Sequence, residues 1–524
     1  MTTEVLQGDR GERNTTVCIV GAGVAGLLMA SRLGRRGIDT LLLESGGQTA
    51  AESSAEQSLN ELATTSDGFV SALSGRARGL GGTSSLWGGR FLPLRPSEVG
   101  ARPHVDLPAW PLDLEHLVRR YGCGVESEFG LPSSSYDSPP HGRRLLLGDH
   151  DVDVRYPKWA PYKNANLGAQ LSEELAASRH VDVVLHATAA GFGLGSSGRL
   201  DTITAHSLAG GSLTVRAREF VIACGTIEST RLLLLLNRAG NDRIFTPGSG
   251  LGHYLQEHLG RRVAALELVD HKRANVTFGY RFEGGARRNP HVETSIEAQS
   301  TAGVGASFAQ VTIAAPEDTA TATIKRLMRS RQTKDGPTGR ELARLLGSVP
   351  ELGRGIGSRA VRKLHYWPGY VEARLNVWIE QLPYRGNAIT LADDVDALGV
   401  PKPSITWRML GSDEATFAHG VATTKSYWQR EGLDRVASPM WLDDDPGFQS
   451  WTAGCELLYH PSGTTRMGVR ADSSVVDPDL RCHDVANVSV VSASVFPTAG
   501  ATGPTFTIGV LARAVADRLD GSVS

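Results

Sequence analysis

Between Thr15 and Gly47 the chain reads TTVCIVGAGVAGLLMASRLGRRGIDTLLLESGG, and no other stretch limits its fold so strongly. A β-branched run, a glycine turn, an apolar-periodic helix and a second apolar run ending at Glu44 make one strand–helix–strand unit. Gly21 permits the tight strand-to-helix turn, Gly23 lets the backbone approach a pyrophosphate, and Gly26 lets the helix pack close on the strand. The phosphates are expected on the helix N-terminus, where unpaired N–H groups and the helix dipole favour anions. Glu44 lies 18 residues after Gly26 and ends the second strand, where a carboxylate accepts hydrogen bonds from the hydroxyls of an unphosphorylated adenosine ribose. The unit predicts dinucleotide binding and leaves FAD and NAD as alternatives.

Composition excludes more than it assigns. The 524 residues point to two or three domains, and 40% apolar with 21% charged residues is an ordinary globular mixture. With 54 Lys+Arg against 56 Asp+Glu, the net charge of −2 argues against a general nucleic-acid binder. The apolar runs around Val17–Leu33 and Leu232–Leu236 are too short, or too interrupted by Gly and Arg, to cross a hydrocarbon layer of about 30 Å. The opening residues MTTEVLQGDRGERNT have no apolar core and no twin arginine, so a cytoplasmic location is expected. Cys18, Cys123, Cys224, Cys455 and Cys482 are scattered without Cys-x-x-Cys spacing, which supports neither a disulfide scaffold nor a zinc site, and no metal is expected. No internal repeat stands out.

A second glycine-dense segment, GRARGLGGTSSLWGGRFLPL (Gly75–Leu94), carries Thr83, Ser84, Ser85 and Trp87. It resembles the second signature of the glucose-methanol-choline oxidoreductases, in particular the branch that oxidises sugars and polyols, where it covers the FAD pyrophosphate and the isoalloxazine ring. The resemblance continues through HVDVVLHATAAGF (His180–Phe192), EFVIACGTIESTRLLLL (Glu219–Leu235), LGHYLQEHLG (Leu251–Gly260) and EQLPYRGNAITLADDVDALGVPKP (Glu380–Pro403). It closes with LLYHPSGTTRMG (Leu457–Gly468) and NVSVVSASVFPTAGATGPTFTIGVLARAVADRL (Asn487–Leu519), so the ordered motifs span essentially the whole chain.

The resemblance implies a discontinuous α/β, Rossmann-like FAD-binding domain over residues 14–95, 160–262 and 451–524. It implies an α+β substrate-binding domain over 96–159 and 263–450, with a large antiparallel sheet roofing the flavin. The roughly alternating pattern Val371–Leu382 (VEARLNVWIEQL) reads as one of its strands. Carried over as cofactor-binding are Gly21, Ala22, Gly23, Val24, Ala25, Gly26, Glu44 and Ser45 from the first unit, and Arg78, Gly81, Gly82, Thr83, Ser84, Trp87 and Gly88 from the second signature. Thr188, Ala223, Gly225, Ser492, Ala493, Pro504 and Thr505 complete the set. Leu86 stands where some sugar oxidases of the family carry a histidine bonded to FAD, so non-covalent FAD is expected. Ser492 replaces the acidic residue of many members, which weakens one contact to the ribityl chain.

Oxidising an alcohol with a flavin requires removing the hydroxyl proton and sending the carbinol hydride to flavin N5. A neutral imidazole suits the first step, and His460 in LYHPSGTTRMG matches the family's catalytic histidine. His253, His258 and His483 fall in family-like motifs at positions that read as structural, and Cys224 and Cys455 read as small core residues with inert thiols. The chain departs from the family at Gly503, the position of the usual second catalytic residue. There the family usually carries Asn or His, which hydrogen-bonds the substrate hydroxyl. A water or a polar residue of the substrate domain is expected to fill the gap, and the space to admit a bulkier substrate. Pro504 suits the first position of a helix over Thr505–Leu519, whose N-terminus is expected to face the pyrimidine end of the flavin and to stabilise negative charge there.

Between Lys325 and Lys363 eleven Lys+Arg face three acids, a local net charge of +8. This segment reads as a solvated helical insertion, a peripheral membrane contact, or a dock for a protein electron acceptor or an anionic substrate, and its Gly and Pro residues mark a mobile lid. The sequence thus predicts an FAD-dependent alcohol dehydrogenase or oxidase acting on a sugar-like, aminosugar or polyol substrate, with O₂, a quinone or a protein as electron acceptor. Leu, Ala and Arg usage has the look of a GC-rich bacterial genome, where sugar-oxidising relatives include enzymes of aminoglycoside and other secondary-metabolite biosynthesis. The alternatives are an H₂O₂-producing alcohol oxidase and a non-redox, lyase-type FAD protein of the same family.

Overall fold

The computed structural model describes residues 3–8, 10–49, 52–66, 68–69, 74–142, 146–195, 198–330 and 338–523. Two sheets, each with its own apolar core, organise them. The first sheet grows from the N-terminal unit: Val17–Val20 and Thr40–Leu43 are buried at every position, as strands covered on both faces must be. Its spatial order is Thr3–Val5, Val181–Leu185, Thr40–Leu43, Arg10–Val20, Ser212–Ile222, Leu200–His206 and Thr188–Leu194. The first five pair in parallel and the last two return antiparallel. Val488–Val490, from near the end of the chain, adds in parallel to Ser212–Ile222, so this sheet is closed by residues far apart in sequence.

Helix Val24–Arg35 packs on this sheet and against the C-terminal helix Thr505–Val523, to which Arg32 and Arg36 are tied through Asp517 and Asp520. Gly26 explains the closeness of the first packing: a Cβ there would come within 1.9 Å of the Gly21 carbonyl oxygen. Gly21 itself has a φ of +101°, a turn that L side chains rarely adopt.

The second sheet is antiparallel, in the order Ser438–Trp441, His258–Glu267, Glu372–Glu380, Ser307–Ala314, His291–Thr294 and Val152–Arg155, with Glu456–Leu457 added to His258–Glu267. The alternating segment of the sequence, Val371–Leu382, supplies its central strand. Helix Gly411–Arg430 covers one face through Phe417, Val421, Tyr427 and Trp428, which join the second core.

Two features cut across the sequence-based boundaries. The strand His258–Glu267 runs unbroken past residues 262 and 263, because its ladder with Glu372–Glu380 absorbs the irregularity between Arg262 and Ala264 as a bulge. The helix Leu114–Glu128, expected with the substrate domain, buries Leu114, Tyr121 and Val125 in the first core, and its Tyr121 hydroxyl donates to Asp517 at 3.0 Å. The basic segment is built of helices Ala320–Ser330, Gly339–Gly347 and Val349–Gly357 and a π-turn at Ser358–Arg362. Its Arg331, Lys334, Asp335, Gly336 and Pro337 lie outside the described residues. Among the described residues no helix is long and apolar enough to cross a membrane.

Because the methyl group of Gly26→Ala would meet a backbone carbonyl rather than a yielding side chain, this substitution is expected to cost about 3 kcal/mol and to abolish dinucleotide binding. Denaturant unfolding with flavin titration checks it, and a stable variant with normal binding would refute the packing argument.

Candidate active site

Ligands of open α/β sheets bind beyond the carboxyl ends of the parallel strands. The sequence-predicted residues gather at that edge: Gly21 follows Val20, Glu44 follows Leu43, Ala223 and Gly225 follow Ile222, and Ser492 and Ala493 follow Val490. Helix Val24–Arg35 starts at Gly23 with no side-chain cap and no acidic residue in its first turn, so the N–H groups of that turn, through Val24 and Ala25 to Gly26, point to an open site. A Cβ on Gly23 would meet nothing within 4 Å. The second glycine loop closes over this opening. The Gly81 N–H donates to the Ala22 carbonyl at 2.9 Å, and a Cβ on Gly82 would lie 3.1 Å from the Gly23 Cα.

The Glu44 carboxylate is buried and accepts from three backbone N–H groups, Ala22 at 2.8 Å, Gly46 at 2.9 Å and Gly79 at 2.8 Å. Burial pushes its pKa up, and those N–H groups and Arg78 oppose the shift. One oxygen takes two of the donors and the other takes one, which leaves an acceptor position for a ribose hydroxyl. Glu44 therefore ties both glycine loops together as well as facing the nucleotide edge.

Several predicted contacts are spent on the protein itself. The partly buried Trp87 ring packs against the first core, edge-on to Phe91 and Phe129, with its Nε1–H donating to the Ala165 carbonyl at 2.8 Å. Arg78 donates to Asn60, to the Leu59 carbonyl and to Ser45, whose hydroxyl also meets Thr188 at 2.7 Å. The Ser84 hydroxyl donates to the Gly81 carbonyl and accepts from Leu167 N–H, and Gly88 backs onto Trp159. Thr83 and Leu86 are exposed, and Leu86 offers no atom for a bond to FAD. The Ser492 and Ser494 hydroxyls pair at 2.6 Å.

His460 follows Tyr459, whose φ of +61° is uncommon for a bulky residue and turns the chain sharply at this point. The His460 N–H donates to Glu257 Oε1 at 2.6 Å, which also accepts from His258 N–H at 2.9 Å. The two imidazoles meet edge to face, Nδ1 to Nδ1 at 3.1 Å, and His258 Nε2 lies 2.6 Å from the Gly500 carbonyl. A carbonyl only accepts, so His258 carries its proton on Nε2 and accepts on Nδ1. Neutral His460 must then donate from Nδ1, which leaves a lone pair on Nε2. On that side lies Gly503, where an added Cβ would stand 3.3 Å from His460 Cε1 and 3.6 Å from Nε2. Burial, the neighbouring His258 and the Arg90 cation hold His460 well below the ordinary imidazole range, and burial takes His258 down to about 4.

His258 was expected to be merely structural, and its contact with His460 is the main residue relation the sequence missed. It sits at the start of a strand whose partner loop is two hundred residues away, so no local signal places it. The polar neighbour expected to fill the space at Gly503 is not His258, which holds the opposite edge of the His460 ring. His253 and His483 are engaged elsewhere, with the Arg385 carbonyl at 3.0 Å and the Gly468 carbonyl at 3.1 Å.

The loop before Gly503 is held by buried side chains. Ala499 N–H donates to Gln256 Oε1 at 3.0 Å, Gly500 N–H to Glu380 Oε2 at 3.1 Å and Ala501 N–H to Glu98 Oε1 at 2.7 Å. Beyond it Pro504 opens the helix Thr505–Val523, its carbonyl accepting from Ile508 N–H at 2.9 Å. Thr502 and Thr507 hydroxyls are buried there with no partner among the described residues. The uncapped helix start at Gly23, the free acceptor on Glu44 and these orphaned hydroxyls fit a flavin dinucleotide. Among the described residues no cluster of His, Cys, Asp and Glu could hold a metal ion.

A dinucleotide cradle joined to a partly buried imidazole beside the antiparallel sheet is the arrangement of a flavoprotein oxidoreductase. Residues 14–61 match the model of an FAD binding domain and 383–512 that of the GMC oxidoreductases. Paromamine 6'-oxidase of Streptomyces fradiae is 23% identical over 95% of this chain and 90% of its own. The fructose dehydrogenase large subunit of Gluconobacter japonicus is 22% identical over 99% of each. The 2-methyl-1,2-propanediol dehydrogenase of Mycolicibacterium austroafricanum is 31% identical over 26% of this chain and 23% of its own. The crystal structure of pyridoxine 4-oxidase from Mesorbium loti shares the fold, with a TM-score of 0.55 at 17% identity over 96% of this chain and 99% of that one. These matches make the chain similar to the glucose-methanol-choline (GMC) oxidoreductases along its length, and its cofactor is FAD.

Burial lowers the pKa of His258, His460 and His291 in the folded chain. Below the ordinary value of 6.5 the unfolded chain binds protons that the folded one refuses, so stability is lost as pH falls from there towards about 4. Asp413, pushed up to about 6, opposes this, as do the buried Glu44 and Glu98 carboxyls, which burial also pushes up. The apoprotein Tm is expected to drop by several degrees between about pH 7 and pH 5, and less steeply in His258→Gln. Equal slopes for both proteins would show that His258 is not held neutral.

Proposed function

We propose that this chain oxidises an alcohol group of a sugar-like, aminosugar or polyol substrate to a carbonyl, with His460 Nε2 taking the hydroxyl proton. The observation that carries the reading is the relay from His460 through His258 to the Gly500 carbonyl, which leaves Nε2 as the basic atom beside Gly503. FAD, when bound, supplies the acceptor for the carbinol hydride. The residues that would hold it are Gly21 to Gly26, Glu44, the loop from Gly79 to Ser85, Ser492, Ala493 and the start of helix Thr505–Val523. Leu86 supports non-covalent attachment.

The protein's own part is positional and electrostatic. Burial keeps His460 neutral and therefore able to accept a proton across the physiological range. The Arg90 cation, stacked over Phe308 at 4.6 Å and bonded to His291 Nδ1 at 2.9 Å, exerts its charge on both His460 and His258. The same charge favours negative charge on the substrate oxygen as its proton leaves. Gly503 places no side chain next to Nε2, which gives room for a substituted carbon at the reacting position. The sugar and aminosugar class is supported by paromamine 6'-oxidase and fructose dehydrogenase, each aligned over nearly the whole chain.

Anaerobic titration of the FAD-loaded enzyme with sugars, aminosugars, polyols and simple alcohols tests this reading. Bleaching of the visible flavin band identifies the substrate class, and recovery in air or with a quinone assigns the acceptor. A flavin that no alcohol bleaches would overturn the reading. His460→Ala is expected to lower kcat/KM by about 10²–10⁴-fold with FAD retained, and the acid limb of the wild-type profile to fall below pH 6.5. A loss under about tenfold would remove His460 from the role of base. The backbone at Gly503 lies outside the left-handed region, so Gly503→Asn fits with a small shift of the His460 ring and is expected to favour small, unbranched alcohols. Unchanged specificity would refute the role given to the missing side chain.

A further inference from the structure

The helical segment from Gly339 to Lys363 presents an unpartnered face of unusual composition. Leu342 and Leu346 project from its first helix at i and i+4, Val349 and Ile356 from its second at i and i+7, and Val361 from the π-turn. Their exposures run from 48% to 83%, so five large apolar side chains of one short segment stand in water. Scattered exposed leucines are ordinary in a globular protein, whereas a stripe of them signals a surface to be covered.

The charges beside this stripe have one sign. Arg340, Arg354, Arg359, Arg362 and Lys363 are exposed. The segment's two acids have partners of their own: Glu341 is paired with Arg326 and accepts from Thr338 N–H at 2.8 Å, and Glu351 accepts from the Tyr370 hydroxyl at 2.6 Å. A shallow groove continues the face, lined by His141, Phe282, Ile356, Arg359 and Lys363, with Glu283 held there by Arg288. The whole chain carries a net charge of only −2, so this basic field is local.

We infer that this face is a peripheral docking surface for an anionic phospholipid bilayer. The five apolar side chains would enter the boundary between headgroups and acyl chains, and the arginines and Lys363 would lie against lipid phosphates. Exposed apolar side chains bordered by exposed cations without ion-pair partners among the described residues, with the acids nearby already paired, are complementary to such a surface. The residues involved are separate from the FAD and His460 machinery, so the inference stands independently of the proposed reaction.

The test is flotation of the full-length, FAD-loaded protein with vesicles of phosphatidylglycerol and phosphatidylcholine in equal parts, and with phosphatidylcholine alone. The anionic vesicles are expected to bind at least about tenfold more protein, with binding weakened by added salt. The double variant Leu346→Glu/Ile356→Glu changes only exposed positions. It is expected to lose binding by at least about tenfold, while its flavin absorbance, Tm and turnover match the wild type. Equal binding to both vesicles, or binding untouched by the double substitution, would overturn the inference. So would a wild-type dimer in sedimentation velocity that the variant turns into a monomer and that ignores vesicles, an outcome assigning the face to a second copy of the chain.

Discussion

Three backbone N–H groups and one carbonyl in the short loop Ala499–Ala501 are claimed by four buried side chains: Gln256, Glu380, Glu98 and His258. A buried backbone group left unpaired costs about as much as a lost hydrogen bond, and here each partner comes from outside the C-terminal segment. Glu380 lies at the end of the central strand of the antiparallel sheet and is also paired with Arg102, both side chains being fully buried. Removing either charge would strand the other, so the pair fixes position more than it adds stability. Everything chemical depends on this clamp, because the next residues are Thr502, Gly503 and the start of the C-terminal helix.

The clamp also explains how two separate cores make one site. The parallel sheet brings the glycine turn, Glu44 and Ser492 to one edge, while His258 begins the antiparallel strand His258–Glu267 and Glu257 directly precedes it. His460 stands between them, its N–H on Glu257 and its ring on His258, and the strand Glu456–Leu457 just before it pairs with the same antiparallel sheet. The protonation pattern of the imidazole is thereby dictated by a carbonyl in the clamped loop, through one intervening histidine. The tautomer of His460 is thus set by backbone geometry, and burial holds its pKa well below the ordinary imidazole range.

Most of the fold was readable because its signals are local. The βαβ unit shows in apolar period and glycine placement, and the C-terminal helix in Pro504 and the spacing after it. The Val371–Leu382 strand shows in its alternation. The sequence says least where side chains have two possible destinations. Trp87 sits in a cofactor-like motif and also packs its partly buried ring against Phe91 and Phe129, with its Nε1–H on the Ala165 carbonyl. The helix Leu114–Glu128 and the strand across residue 262 were assigned by motif boundaries, which do not record which core an apolar face joins.

The sequence by itself determined the dinucleotide turn and the resemblance to the GMC oxidoreductases, and it singled out His460, since each is carried by the identity and spacing of neighbours along the chain. It also determined the absence of a side chain at Gly503. Only the tertiary structure decided that His258 and Glu257 hold His460, that Arg90 extends its charge over them, and that Glu44 braces two loops at once. Those relations join residues up to a few hundred positions apart. Their energies depend on burial and on distances of about 3 Å, and neither quantity is encoded in any single stretch of sequence.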